Sequence, residues 1–132
     1  MTGAAAGRIQ GIDNIGICAA DLGRSVEFYD QLGAARRSEN DRGVILGLGN
    51  AQLFVFHARR DGQRRDQRAL GLFGNPPGID DISFLVDPDE LYAQLRSRGV
   101  EVGPGPSDQD WDGWVFGLQD PDGVNLYFLR WR

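Results

Sequence analysis

Short runs of alternating apolar and polar side chains, interrupted twice by runs of helical period, set the grammar of this chain. An apolar run from Gly11 to Ala20, carried by Ile12, Ile15 and Ile17, predicts a first strand. Asp21 then stands where an N-cap belongs, and Val26, Phe28, Tyr29 and Leu32 form a helical stripe that stops at Gly33. Three further strands are predicted at Ala34–Ser38, Gly43–Leu48 and Ala51–His57, the last dense in branched and aromatic residues.

The same order then returns. Ile79–Val86 predicts a strand, and Asp87, Pro88 and Glu90 mark a helix start with a capping carboxylate and a proline in the first turn. Leu91 and Leu95 carry that helix to a stop at Gly99. Val100–Val102, Trp114–Gln119 and Val124–Trp131 predict three more strands, the last two joined by the turn Asp120-Pro121-Asp122-Gly123. Asp21 aligns with Asp87 and Gly33 with Gly99, an internal repeat of about 66 residues. Neither half could cover both faces of its own sheet, so the halves are expected to pack as one α+β domain over 1–132. Module one spans about 8–58, module two about 79–132, and a connection of about 59–78 joins them. The connection sets Arg59, Arg60, Arg64, Arg65 and Arg68 among Asp61 and Asp66, which reads as a solvated loop. Its apolar piece Ala69–Phe73 leaves two readings open, a flap over a pocket or a plain linker.

Composition narrows the chemistry. All 14 basic residues are arginine, so Schiff-base and lysine-base catalysis are excluded. A net charge of −5 argues against nucleic acid, whose binding rests on neutralising phosphates. No apolar run approaches the roughly 18 residues of a membrane helix, and the N-terminal stretch lacks the apolar region of a signal peptide. Cys18 is the only cysteine, which rules out an internal disulfide and cysteine-rich zinc sites. A cytoplasmic location is the default expectation.

The stretch Ile12-Asp13-Asn14-Ile15-Gly16-Ile17, followed by Asp21-Leu22, Ser25, Phe28-Tyr29 and Leu32-Gly33, resembles the first module of the vicinal-oxygen-chelate superfamily. That superfamily includes glyoxalase I, bleomycin-resistance proteins and extradiol dioxygenases. The second module matches through Ile79–Val86, the Leu91–Gly99 helix and Asp120-Pro121-Asp122-Gly123. The resemblance implies paired βαβββ units whose curved sheets wrap a cavity, commonly in a homodimer. Members with a metal carry ligands on four strands, usually His and Glu. The corresponding positions here are Asn14, Phe54, Asp81 and Tyr127. Phenylalanine offers no lone pair, asparagine is a weak neutral ligand, and tyrosine must first lose a proton of pKa about 10. One carboxylate cannot hold a transition metal alone, and alternation turns the single histidine, His57, to the other face from Phe54. No metal and no cofactor is the expectation, closest in style to the metal-free bleomycin-resistance type.

Period-two alternation then assigns the cavity side. It places Asn14, Gly16 and Cys18 there from the first strand, and Gln52, Phe54 and Phe56 from the fourth. The fifth strand adds Asp81, Ser83 and Leu85, and the last adds Asn125, Tyr127, Leu129 and Trp131. Phe56 and Leu129 read as core filling, and Cys18 as a small filler with no histidine to activate it. Ser107–Trp114 interleaves three aspartates with Trp111 and Trp114; it is either a stacking mouth for a planar or cationic ligand or a polar surface loop. The candidate ligand-binding set is therefore Asn14, Gln52, Phe54, Asp81, Ser83, Trp111, Trp114 and Tyr127. The resulting expectation is metal-independent binding of a small aromatic or cationic molecule, as in antibiotic or metabolite sequestration, by a homodimer. The alternative is a metal-independent isomerase, lyase or cyclase with Asp81 as base and Tyr127 as acid. A third reading is a degenerate member that serves only as a subunit or regulator.

Overall fold

The computed structural model describes residues 7–58, 68–71, 75, 77 and 79–132. The elements run β1 (Ile15–Ala19), α1 (Leu22–Gln31), β2 (Ala35–Glu39), β3 (Gly43–Leu48), β4 (Ala51–His57), β5 (Ile82–Leu85), α2 (Pro88–Ser97), β6 (Ser107–Asp108), β7 (Gly113–Gln119) and β8 (Asn125–Trp131). They form two four-stranded sheets: sheet one, ordered β1-β4-β3-β2, and sheet two, ordered β5-β8-β7-β6. In each sheet the first strand lies parallel to the last and the others pair antiparallel. This is an α+β architecture of two βαβββ modules, and the sheets do not close on one another. Residues 59–67 and 72–74, which carry most of the arginine-rich loop and the end of the apolar piece, lie outside the described residues.

Local chemistry explains the helix limits. The Asp21 carboxylate accepts from Arg24 N at 3.0 Å, and Asp87 accepts from the backbone of Asp89 and Glu90. Gly33 and Gly99 sit at φ of +92° and +77°, a left-handed stop that only glycine adopts without strain. Tyr29, Leu46, Leu53, Leu95 and Leu126 are fully buried and share one core cluster that draws on both modules. Burying each such leucine contributes roughly 1.5–3 kcal/mol. Because the helix sides of both sheets feed this core, the opposite sheet faces turn away from it.

Three strand expectations need correction. β1 begins at Ile15 rather than near Gly11, because its parallel partner takes it up only at Ile15↔Leu53. Ile12 lies beyond that pairing and is 84% exposed. β5 begins at Ile82 for the same reason, pairing first with Leu126. Val100–Val102 is not a strand: Val100 and Val102 pack against the core without a ladder, and the edge of sheet two is taken by Ser107–Asp108.

A buried polar contact joins the modules. Tyr29 Oη donates to Asp120 Oδ2 at 2.8 Å, while Asp122 accepts from Ser25 Oγ and from Ala20 N, both at 3.1 Å. Asp120 Oδ1 also accepts from the backbone N–H groups of Asp122 and Val124. Tyr29→Phe leaves that carboxylate short of its hydroxyl donor, and is expected to cost about 1–3 kcal/mol in urea unfolding. Burial pushes the Asp120 carboxyl above the usual carboxylate range, against the opposing hydrogen bonds from Val124, Tyr29 and Asp122. Between the unfolded value of about 3.9 and that raised value, the folded chain binds a proton that the unfolded chain has released. Stability from this group therefore rises as pH falls through that window and is lost as pH rises. Asp120→Asn should remove that part of the slope, and an unchanged stability-versus-pH curve would contradict the assignment.

Candidate functional site

The side of each sheet away from the core is open, and alternation along the strands decides what it presents. On sheet two, Tyr127 faces out beside Ser83 of β5 and Gly117 of β7. Gly117 lets the phenol ring lie close, since a Cβ there would come within 2.8 Å of Tyr127 Cε1. Val115, Tyr127 and Leu129 form a small apolar cluster, and Trp111 packs on it from the loop between β6 and β7. The same ring fills the space over Gly113 and meets Trp131 edge-on, with centroids 5.2 Å apart. Its indole N–H is buried with no partner among the described residues.

The described part of the connection, 68–71, crosses this open face as a strap. Gln119 Nε2 donates to Arg68 O at 2.8 Å, Asn125 Nδ2 to Ala69 O at 3.0 Å, and Gly71 N to Tyr127 Oη at 3.0 Å. Arg68 pairs with Asp80 at 3.6 Å, and Asn75 bridges Ala69 and Asp80. A cleft of about 610 Å³ lies between strap and sheet, lined by Leu70, Gly71, Pro104, Asp108, Val115 and Tyr127 among others. Sequence reasoning missed the roles of Gln119 and Asn125. Amides facing out from adjacent strands were visible, but nothing in the pattern said which backbone they would meet.

Electrostatics at the cleft follow from burial. Desolvation raises the Tyr127 phenol above its ordinary value, opposed by the Gly71 N–H and reinforced by Asp80 and Asp81. Desolvation also raises the Asp81 carboxyl, opposed by the Ser83 hydroxyl, which donates to it at 2.7 Å, and reinforced by Asp80. Asp108 and Asp110 stand on the rim, with Asp108 paired to Arg132.

The eight expected residues do not meet in one place. Gln52 and Phe54 are on sheet one with Asn14 just before it, and Ser83 and Tyr127 are on sheet two with Asp81 and Trp111 in the segments flanking its strands. Asn14 precedes β1, is exposed, and donates to Asp13. Trp114 corrects its expectation. It shares the core-facing side of β7 with Phe116, donates its indole N–H to Asp89 at 3.0 Å, and lies under the Arg132 guanidinium at 5.1 Å. It cannot stack on a ligand in the cleft. The one-residue step from Gly113 decides this, because alternation sends neighbouring side chains to opposite faces.

A metal at the four superfamily positions does not fit the donors present. Phe54 has nothing to give, and the Tyr127 phenol is pushed away from ionisation. The Asn14–Phe54 and Asp81–Tyr127 pairs stand at different sheets. No group of three or more His, Cys, Asp or Glu among the described residues is arranged to hold an ion.

Residues 11–128 match the family described as Glyoxalase/Bleomycin resistance protein/Dioxygenase superfamily. No curated protein matches the chain. Among solved structures, a glyoxalase family protein from Enterococcus faecalis superposes with a TM-score of 0.72 at 24% identity, covering 92% of this chain and 98% of that one. A bleomycin resistance determinant encoded on the transposon Tn5 gives 0.63 at 22% identity, covering 91% and 97%. A bleomycin-binding protein in complex with bleomycin gives 0.64 at 21% identity, covering 92% and 99%. At these identities the superpositions establish the shared fold, and the sequence match over nearly the whole length establishes the kinship. The chain belongs to the Glyoxalase/Bleomycin resistance protein/Dioxygenase superfamily.

Proposed function

We propose that this chain binds a small organic molecule without a metal, holding it in the cleft of sheet two against Tyr127, with Trp111 packed on the same apolar cluster. The observation that carries this reading is the cleft itself. Its volume of about 610 Å³ falls in the range of organic ligand sites, roughly 300–1,000 Å³, and Leu70, Val115, Phe116 and Tyr127 give it apolar and aromatic walls facing the polar run Ser107–Asp110. The Tyr127 hydroxyl accepts from Gly71, which leaves its own proton for an acceptor on the ligand. The carboxylates of Asp81 and Asp110, which pair with no arginine among the described residues, favour a cation. Kinship with a bleomycin-binding protein supports sequestration of an antibiotic or metabolite as the purpose.

Titration of EDTA-treated protein with bleomycin and with planar aromatic cations, read by tryptophan emission, is expected to give saturable micromolar binding that added zinc, nickel or manganese leaves unchanged. Tyr127→Phe should weaken it about fivefold to tenfold, the loss of one hydrogen bond. One equivalent of transition metal per chain in untreated protein would overturn the metal-free reading, and no binder in a broad panel would favour the subunit or regulator role.

The raised Asp81 carboxyl beside Tyr127 supports a second reading, proton transfer by a metal-independent isomerase, lyase or cyclase. Asp81→Asn separates the two. Under sequestration it weakens binding of a cation and has no turnover to remove; under catalysis it abolishes turnover and largely spares binding.

A second copy of the chain would complete the site. β1 and β5 are edge strands, and apolar side chains stand exposed beside them, with Ile12 before β1 at 84% and Leu85 on β5 at 77%. Sedimentation at micromolar concentration is expected to give a dimer, and Leu85→Asp to shift it towards monomer. A monomeric native chain would contradict this assembly.

A further inference from the structure

Two adjacent arginines on β2 have different fates. Arg36 pairs with Asp30 at 2.9 Å. Arg37 is the extra residue of a β-bulge: pairing runs Arg36↔Leu46 and then Ser38↔Ile45, leaving Arg37 without a residue opposite. Bulges of this kind re-aim a side chain. Here the guanidinium is carried across the open face of sheet one and lies over Gly47, where any Cβ would collide with Nε, Cζ and Nη2. Nη1 reaches Gln52 Oε1 at a long 3.4 Å, and Gln52 is itself steadied through Nε2 on Asp13 O at 3.3 Å. No carboxylate among the described residues pairs with Arg37.

Beside this cation stand two aromatic rings, tilted against one another. Phe54 follows Gln52 on the same face of β4, about 7 Å along the strand. The rings of Phe54 and Phe56 stand 5.2 Å apart at 30°, half-buried. Gly16 lies opposite Phe54 on β1 and adds no side chain on that flank. An arginine fork next to an open ring pair matches a molecule that carries a carboxylate on an aromatic ring. The two oxygens meet parallel N–H donors while the ring rests on phenylalanine.

The geometry points to a binding site for an aromatic carboxylate on the open face of sheet one, with Arg37 holding the carboxylate and Phe54 and Phe56 the ring. It rests on the reading of this chain as a small-molecule binder and names the ligand class of this face. Charge sets it apart from the cleft on sheet two, where carboxylates surround Tyr127. A neutral or cationic occupant would leave the guanidinium without a counter-charge. A carboxylate from a second copy would supply one, so the test separates that case.

The test uses the whole chain with 2-naphthoate and its neutral isostere 2-naphthamide, followed by calorimetry and by the aromatic NMR signals of Phe54 and Phe56. The acid is expected to bind roughly tenfold tighter than the amide, the preference of a charge-assisted fork over a neutral contact. Arg37→Gln should erase that preference, and Arg37→Lys should restore only part of it, because an ammonium lacks the planar fork. Arg37 is exposed, so the fold is not at stake, and a matching thermal melt checks this. Equal affinity for acid and amide, naphthoate retained by Arg37→Gln, or perturbation at Trp111 instead of the two phenylalanines would each overturn the site. Loss of self-association in Arg37→Gln, with acid-over-amide selectivity unchanged, would assign the guanidinium to a second copy and overturn it too. Cations bound on sheet two with no naphthoate bound would sink this inference alone; the reverse result would sink the sheet-two reading alone.

Discussion

A carboxylate buried between two half-molecules holds them in one arrangement. Tyr29 reaches it from α1, and the N–H groups of its own turn close around the other oxygen. Two residues further on, Asp122 takes the Ser25 hydroxyl and the Ala20 N–H at the start of the same helix. A buried charge is tolerated only when its lone pairs are met, and this turn meets them with donors from both modules. The core then forms around the contact, because it sets the helix sides of both sheets against one another.

That choice has a consequence on the far side of each sheet. With both helix faces spent on the shared core, the other faces are left to solvent, to the strap or to a second chain. Sheet two covers part of its face with residues 68–71, which return along β7 and β8 and are pinned by Gln119, Asn125 and Tyr127. Among the described residues, sheet one has the Arg37 guanidinium laid over Gly47. One face carries Asp81 and the rim carboxylates, and the other carries the Arg37 guanidinium over Gly47, with no carboxylate paired to it among the described residues, so the modules of a repeated fold differ in electrostatic character. Duplication supplies the scaffold, and divergence of a few outward-facing positions supplies the chemistry.

Much of this was legible in the order of residues. Asp21 with Gly33, and Asp87 with Gly99, bound both helices because capping and left-handed stops act within a turn of chain. The faces of β4 and β8 followed from period two, so Phe54 and Tyr127 could be assigned to the side away from the helices. The nature of the donors at the four superfamily positions was likewise readable, since it depends on what the side chains are. Strand ends were not readable, because a strand stops where its partner does; Ile12 and Val100–Val102 have the right composition and no ladder.

Local patterns therefore determined the repeat, the helix limits and the outward faces of β4 and β8, all properties of neighbours within a few residues. Tertiary structure alone decided that Trp114 turns to Asp89 while Trp111 packs on Tyr127, that the strap meets Gln119 and Asn125, and that a bulge throws Arg37 across Gly47. Each of these depends on residues far apart in the chain or on a one-residue slip in pairing, and neither leaves a mark in composition or period.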